Sequence, residues 1–249
     1  MKLTLAEPRL LKESINIISE LVNEVEFKID KDKLELVAMD PANVAMIDFK
    51  ILSSAFAEYD PGESTEIAVS LDNLRAILKR AKPTDTITLS LDNDKNRLKV
   101  ELVGENKRTF NISLLNIDNN EQRVPELNFA AKIETSTVKF DEAVEDMDVV
   151  AESVGLVAEK DKFMVKSESN FSDALVEIPS SSDTIISMTG KEAISSKYSI
   201  EYLKKMIKGS KLAENVIVQF GNDYPLRIDY VLLDKLKLSF ILAPRVSND

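Results

Sequence analysis

The sequence has 249 residues, 44% of them hydrophobic, and a formal net charge of -11, so it can bury one large core or two ordinary ones. Its acidity excludes a surface that coats nucleic acid throughout. It contains no histidine and no cysteine, which excludes disulfides, thiolate metal sites and histidine-dependent nucleophiles.

The first half of the chain has the pattern of two amphipathic helices among short strands. After a short strand, the apolar period predicts a helix at about residues 8–24. Alternating or apolar runs predict strands at 34–39 and 45–52, and a second helix follows at 72–82. The segments TITLSL, LKVELV and TFNISL then alternate, which indicates an antiparallel meander.

The second half repeats this order after residues 115–127, whose Asn, Asp and Glu content indicates an exposed connector. It has a helical period at 138–153, strand patterns at 162–167 and 174–178, and a second helix within 201–211. The segments NVIVQF, LRIDYV and LKLSFIL form the closing meander. Helices on one face of a mostly antiparallel sheet satisfy the apolar patterns of both, so each half is predicted to be an α+β domain.

A constant offset relates the two halves. KDKLELVAMD begins at Lys31 and KDKFMVKSES begins at Lys160, a difference of 129 residues. SLDNLRAILKR from Ser70 aligns without gaps to SIEYLKKMIKG from Ser199 at the same offset. Because chance rarely preserves one offset in several segments, the chain is predicted to be a doubled unit.

The second helix of each half is basic although the chain is acidic. The windows 72–82 and 201–211 each contain four basic residues and one acidic residue. The cations on the face opposite the apolar stripe are Arg75, Lys79 and Lys82 in one window and Lys204, Lys208 and Lys211 in the other. Since no acid opposes them on that face, we predict sequence-independent contact with phosphate. A merely solvated face is the alternative for a single helix.

Nothing in the sequence predicts export, a membrane span or a cofactor. The opening MKLTLAEPRLLKES lacks the apolar core of a signal peptide, and no apolar run reaches membrane-spanning length. There is no G-x-G-x-x-G or Walker-type loop for a nucleotide. We therefore expect a cytoplasmic protein without a cofactor.

Four segments carry a resemblance to a known family: MDPANVAMIDF at Met39, VPEL at the end of the connector, GNDYPLRIDY at Gly221, and the ending FILAPRV. Over essentially its full length the chain resembles the DNA sliding clamps of the proliferating cell nuclear antigen family (PCNA), in their archaeal form. The resemblance implies two repeated clamp (processivity fold) domains, at 1–117 and 129–249, joined by an interdomain connector at 118–128. These domains would form a pseudo-six-fold ring with helices inside and sheets outside.

The resemblance also implies a function that is not enzymatic. Three subunits, identical or paralogous, would form a ring around duplex DNA, which a clamp loader opens, and would keep a polymerase processive. DNA polymerase, flap endonuclease and DNA ligase would bind through short peptide motifs. Such a clamp is cytoplasmic and nucleoid-associated, or nuclear in a eukaryote.

The resemblance implies three sets of site residues. The DNA-binding set is Arg9, Lys12, Arg75, Lys79, Arg80, Lys82, Lys204, Lys205, Lys208 and Lys211. The partner-peptide pocket is Met39, Val44, Val124, Pro125, Pro225, Ile241, Ala243 and Pro244. The subunit interface pairs Arg108, Phe110, Ile112 and Leu114 with Ala174, Leu175, Val176 and Ile178 of a neighbour.

The first helix of the second half departs from the family pattern. It carries Asp141, Glu142, Glu145, Asp146 and Asp148, with no base after Lys139. We expect this helix either to contact DNA poorly or to turn its acids toward a neighbouring subunit.

Two alternative functions stay open. A checkpoint-type clamp subunit for damage signalling would differ in its partners and in obligate heteromeric assembly. A metal-dependent nuclease would use carboxylates such as Asp40, Asp48 and Asp92. Those acids are scattered along the sequence, and carboxylates alone are weak support for a metal site.

Overall fold

The computed structural model describes residues 1–92, 94–116 and 122–245. The chain divides into two compact units, and each is assembled mainly from one half of the sequence. The first unit comprises Met1–Pro41, Ile47–Val124 and Leu232–Leu238, and the second comprises Ala42–Met46, Pro125–Val231 and Ser239–Asp249.

The first half of the chain forms nine strands and two α-helices within its described residues. They are β1 (Lys2–Leu5), α1 (Pro8–Ile18), β2 (Glu24–Ile29), β3 (Lys33–Met39), β4 (Ala45–Leu52), β5 (Glu58–Asp60), β6 (Thr65–Ser70), α2 (Leu71–Leu78), β7 (Thr86–Asp92), β8 (Arg97–Val103) and β9 (Lys107–Ser113). Pro8 begins α1, where its missing N–H costs no hydrogen bond. Ser70 caps α2, since its hydroxyl accepts from the Asn73 N–H at 3.4 Å.

Antiparallel pairing arranges these strands into two groups. One group has the order β5-β1-β7-β8-β9, with β9 at its edge. In the other, β2 lies between β3 and β6. The apolar face of α1 is buried, with Leu11, Ile15 and Ile18 at 1% exposure or less, and α1 packs beside α2.

The second half repeats this arrangement over its described residues. Its elements are β10 (Ala131–Ser136), α3 (Thr137–Asp148), β11 (Ser153–Ala158), β12 (Lys162–Glu168), β13 (Asp173–Pro179), β14 (Ile185–Met188), β15 (Ile194–Ser199), α4 (Ile200–Met206), β16 (Asn215–Phe220), β17 (Leu226–Leu232) and β18 (Leu236–Leu242). A 3-10 turn, Ile207–Lys211, follows α4. One sheet has the order β13-β12-β11-β15, and β10 lies between β14 and β16 in another. Helix α3 packs against α4 and against β10 to β13.

The element boundaries reproduce the repeat. β1, α1, β2, β3, α2 and β7 each begin 129 residues before β10, α3, β11, β12, α4 and β16. The predicted fold class, α+β with two repeated domains of helices and antiparallel sheets, is therefore confirmed.

The predicted helices are longer than the observed ones. The helix predicted at 8–24 ends at Ile18, and the one predicted at 138–153 ends at Asp148. In the first case Leu21 and Val22 are buried although they lie beyond the end of the helix, so they continue the apolar pattern past it. The windows 72–82 and 201–211 contain shorter helices, followed by turns at Pro83 and Gly209, residues that disfavour a continuing helix.

Candidate functional site

The cations of the first unit lie at the end of α2 and are partly engaged by protein groups. Arg75 Nε donates to Asn16 Oδ1 at 2.9 Å, and its guanidinium is 3.8 Å from Glu20. Lys82 lies 3.4 Å from Glu105, but its side chain is 61% exposed. Arg75 therefore links α2 to α1 in the protein.

The two predicted cations of α1, Arg9 and Lys12, differ in their exposure. Lys12 is half-buried, and its Nζ donates to the Ala81 carbonyl at 3.1 Å, just beyond α2. A cation at this point interacts favourably with the negative end of the α2 dipole. Arg9 is exposed on the first turn of α1. Lys79 and Arg80 are also exposed, and within the described part of the chain neither side chain has a hydrogen-bond or ion-pair partner.

In the second unit, acids lie beside Lys204 and Lys205. Lys204 Nζ lies 2.5 Å from Asp148 Oδ2, at the end of α3. Lys205 pairs with Glu201 one turn earlier at 2.9 Å and lies 5.3 Å from the Tyr202 ring centre. Lys208 and Lys211 belong to the 3-10 turn after α4.

The expectation that no acid opposes the cations on this face is therefore wrong for Arg75, Lys82 and Lys204, and Lys205, which lies outside that face, is paired as well. Glu20, Glu105, Asp148 and Glu201 stand beside Arg75, Lys82, Lys204 and Lys205. Three of those acids come from other elements, which packing brings next to the helices. Because exposed ion pairs contribute only about 0–1 kcal/mol, phosphate can still compete for Lys82 and Lys204.

Helix α3 is acidic, and its acids have different surroundings. Asp148 pairs with Lys204, whereas Glu142, Glu145 and Asp146 are exposed. Asp141 is half-buried, and burial raises its pKa to about 6 although Ser210 donates to it.

The predicted peptide-binding residues divide between the units. Val44, Pro225, Ile241, Ala243 and Pro244 lie in the second unit, and Ala243 N donates to the Val44 carbonyl at 2.9 Å. Ala243 is exposed, while Ile241 is only 8% exposed and contributes mainly to the core.

The other predicted pocket residues lie at or near the connector or in β3. Met39 ends β3 and is half-buried. Val124 is half-buried and Pro125 is exposed, and the first unit ends between them.

Sequence reasoning missed two aromatic residues near Pro225. Tyr224 packs its ring edge-on against Phe129, with ring centres 6.0 Å apart. Its hydroxyl accepts from the Asn128 N–H at 3.4 Å, and its carbonyl accepts from the Tyr198 hydroxyl at 2.7 Å. The sequence could have indicated Tyr224, because this residue directly precedes the predicted pocket residue Pro225 in GNDYPLRIDY.

The predicted interface strands, β9 and β13, are both edge strands in the described sheets. In β9, Phe110 is half-buried and Ile112 is buried. In β13, Leu175 is 54% exposed, Val176 is half-buried and Ile178 is buried.

The remaining predicted interface residues flank these positions. Leu114 follows β9 and Ala174 lies near the start of β13, and both are half-buried. The Arg108 guanidinium turns away from the strand edge to pair with Asp85. Exposed edges of this kind can accept a further strand.

The described residues contain no cluster of three or more acidic, histidine or cysteine side chains suited to a metal ion. Over the same residues, none of the helices has the length and apolar character needed to cross a membrane.

Comparison with known proteins assigns the family. Models of the N-terminal and C-terminal domains of proliferating cell nuclear antigen match residues 1–123 and 123–245. The DNA polymerase sliding clamp of Nanoarchaeum equitans is 34% identical over 247 residues, which are 98% of this chain and 99% of that protein. The DNA polymerase sliding clamp of Thermococcus gammatolerans is 35% identical over 230 residues, 92% of each chain. The chain belongs to the PCNA family.

Solved PCNA structures share the fold. The crystal structure of PCNA from Thermococcus kodakaraensis has a TM-score of 0.92 at 24% identity, and the match covers 98% of this chain and 99% of that one. A PCNA2–PCNA3 complex from Sulfolobus tokodaii has a TM-score of 0.89 at the same identity and coverage. The predicted resemblance to archaeal clamps is confirmed, and with it the assignment to the DNA polymerase sliding clamps.

The two PCNA domain matches meet at residue 123, and a boundary between the two compact units falls between Val124 and Pro125. The connector predicted at 118–128 begins among residues 117–121, which lie outside the described residues. Its described part, from residue 122, contains neither helix nor strand and is largely exposed.

Proposed function

We propose that this PCNA-family chain is one subunit of a trimeric ring that encircles duplex DNA and keeps a polymerase processive. The observation that carries the proposal is the recurrence of exposed or partly exposed cations in both units at one offset. Lys79 and Lys82 of the first unit correspond to Lys208 and Lys211 of the second. A ring with such cations on its inner wall binds DNA without reading its sequence.

Weak attraction suits this task. Each phosphate contact contributes a slope of about -0.9 to the dependence of log affinity on log salt, so a few contacts give a loose, salt-sensitive association. The net charge of -11 repels DNA elsewhere on the protein. Topological linkage, rather than affinity, then keeps the clamp on DNA while the weak contacts let it slide.

Lys79 and Arg80 are the strongest candidates for phosphate contact in the first unit, because they are exposed and free of acid partners among the described residues. Lys12 and Arg75 act mainly inside the protein, where they bind the end of α2 and the side chain of Asn16. In the second unit we assign phosphate contact to Lys204, Lys208 and Lys211. Acidic α3 contributes little to DNA binding.

Ring closure is proposed through the edges of β9 and β13. Each edge has a row of main-chain groups available for a neighbouring strand, and each offers half-buried apolar side chains, Phe110 and Val176. The ring contains three such junctions, whether its chains are identical or mixed with paralogues.

Partner enzymes are proposed to bind beside the C-terminal strand of the second unit. Ala243 and Pro244 follow β18 at the surface, and the Ala243–Val44 hydrogen bond holds this segment in place. A short peptide motif of a polymerase, flap endonuclease, ligase or loader would bury apolar side chains there. We assign the chain no catalytic step of its own, and we place it in the cytoplasm on the nucleoid.

A primer-extension assay on singly primed circular DNA tests the proposal. With a partner polymerase and clamp loader, the protein should lengthen the products made in a single binding event. It should stay on closed circular DNA at a salt concentration that releases it from linear DNA of the same sequence. Equal release from circular and linear DNA would contradict an encircling ring.

A further inference from the structure

A helix flanks each of the two strand edges that are proposed to close the ring. In the second unit α3 packs against β13, whose inner residues are Val176 and Ile178. In the first unit α2 packs against β9, whose inner residues are Phe110 and Ile112. If β9 and β13 of neighbouring subunits join with their helices on one face, α3 of one subunit lies beside the end of α2 in the next.

One side of α3 is turned toward α4 and engages groups of its own unit. Asp148 pairs with Lys204 of α4, and Ser210, in the turn after α4, donates to Asp141. Asp141 and Asp148 are two helical turns apart, so they lie on the same side of the helix. Packing within the second unit therefore accounts for these two acids.

Another side of α3 is turned toward the end of β13. Lys139 pairs at 2.7 Å with Asp183, which lies just beyond that end. Glu142 and Asp146 follow Lys139 at the spacings that keep side chains on one side of a helix. Both acids are exposed, and neither forms an ion pair within the described part of the chain. Packing within the unit does not account for them.

Exposed valines accompany these two acids. Val138, at the start of α3, is 61% exposed, and Val149, just after its end, is 87% exposed. The helical period places both beside Glu142. Acids repel phosphate and valines offer it no hydrogen bond, so this side of α3 does not suit DNA. A protein surface with cations and apolar groups would complement both kinds of side chain.

The first unit has such a surface beside β9. Arg80 and Lys82 lie in the turn after α2, and Arg108 of β9 holds that turn by donating to the Arg80 carbonyl at 2.9 Å. The Arg80 side chain is exposed without a partner among the described residues, and the Lys82 side chain is 61% exposed. Phe110 of β9 supplies a half-buried apolar ring.

We propose that the side of α3 formed by Glu142 and Asp146 docks on a second copy of this chain, where it pairs with Arg80 and Lys82. The inference rests on the proposed ring. One chain carries both complementary surfaces, so identical copies joined head to tail satisfy every junction. Two β13 edges would bring acids against acids, which disfavours the wrong pairing. Arg80 then lies at the border between this junction and the proposed DNA surface.

The test measures subunit association of the full-length protein without DNA, by light scattering over a dilution series. Glu142→Lys with Asp146→Lys should raise the dissociation constant about tenfold or more, because cations then face cations. This change lowers the net negative charge, so overall repulsion between subunits would predict the opposite result. Association as tight as that of the wild type would overturn the proposal.

The control Glu145→Lys with Glu192→Lys makes the same change of charge elsewhere. Both acids are exposed, and Glu145 lies on α3 itself but close to Asp141. Association of this variant should match that of the wild type. Equal weakening by the two double variants would also overturn the proposal.

A rescue experiment identifies the partner surface. Arg80→Glu with Lys82→Glu should weaken association by a similar factor. All four substitutions in one chain should restore it, because every junction between identical chains then joins opposite charges again. The quadruple variant keeps the net charge of the wild type, so rescue cannot come from overall charge. A quadruple variant that associates no better than either double variant would refute the pairing.

The outcome separates this junction from the proposed ring. If wild-type trimers stay on circular DNA while the Glu142 and Asp146 variant keeps its mass and binds DNA more tightly, the acids face DNA and the inference alone fails. A wild type that is monomeric by itself would exclude a second copy as the neighbour. Rescue of trimers that nevertheless leave circular DNA would support the junction and contradict encirclement.

Discussion

Arg108 in β9 and Asp85, just before β7, form an ion pair that joins an edge strand to the end of α2. Asp85 is only 2% exposed, and its carboxylate also accepts from the Lys82 N–H at 2.7 Å. Arg108 donates in addition to the Arg80 carbonyl at 2.9 Å. One side chain therefore holds β9 and the turn that carries Arg80 and Lys82.

Arg108→Gln should lower the free energy of unfolding by about 3 kcal/mol, because it leaves the Asp85 carboxylate buried without its cation. Urea unfolding followed by circular dichroism measures the change. Lys107→Gln is the matched control, since Lys107 is exposed and its partner Glu101 keeps a second lysine, Lys99. A loss no larger than that of the control would show that the ion pair adds little stability.

Charge reversal at Lys79→Glu and Lys208→Glu, one position in each unit, should weaken association with duplex DNA. The slope of log affinity against log salt should become shallower by about 0.9 for each phosphate that the protein no longer neutralises. Lys31→Glu with Lys160→Glu is the control pair, because these lysines are also exposed and related by the same offset. An identical slope in the two double variants would rule out phosphate binding by Lys79 and Lys208.

Ala243→Glu should abolish stimulation of a partner polymerase, because it places a charge where an apolar peptide side chain is proposed to pack. Ala243 is exposed, so the thermal midpoint should change little. The same change at exposed Ala193 is the control. Full stimulation by Ala243→Glu would remove this segment from the proposed pocket.

Val176→Glu should convert the proposed trimer into monomers of 27.8 kDa, because it introduces a charge among the apolar side chains of the β13 edge. Light scattering during gel filtration measures the mass. Val231→Glu, at another partly exposed strand position, should leave the trimer intact. A Val176→Glu protein that still has three times the chain mass would exclude β13 as the junction.

Deprotonation of Asp141 should lower the free energy of unfolding as the pH rises from about 4 to about 6. Its pKa is raised to about 6 in the folded protein, chiefly by burial, from an ordinary value of 3.8. The folded state therefore holds the proton more tightly than the unfolded state, and this contribution to stability is lost as the pH passes through 6.

Thermal unfolding of Asp141→Asn and of the wild type at pH 5 and pH 7.5 measures this effect. The wild type should lose more stability between the two pH values than the variant. Asp146→Asn removes an exposed acid of the same helix and should behave like the wild type. Parallel pH profiles for wild type and Asp141→Asn would show that Asp141 does not titrate as described.

Much of the fold could be predicted because its signals are local. The strands 34–39 and 45–52 alternate or run apolar, and the observed β3 and β4 differ from those bounds by at most one residue. The positions of the helix ends were not predictable in this way. Beyond α2, the Arg80 carbonyl accepts from Arg108 and the Ala81 carbonyl accepts from Lys12, partners 28 and 69 residues away in the chain.

The candidate sites, like the fold, could be predicted only in part from the sequence. The edge positions of β9 and β13 and the basic character of both α2 and α4 were predicted. The partners of the cations were not, because Asp148 meets Lys204 only when α3 packs beside α4.

The amino-acid sequence alone determined the doubling, the α+β character and the location of the basic helices, because periodicity and composition act over a few residues. Only the tertiary structure decided which cations are engaged inside the protein and which remain exposed to a ligand. Those outcomes depend on side chains that lie far apart in the chain and come within hydrogen-bonding distance only after the helices and sheets have packed.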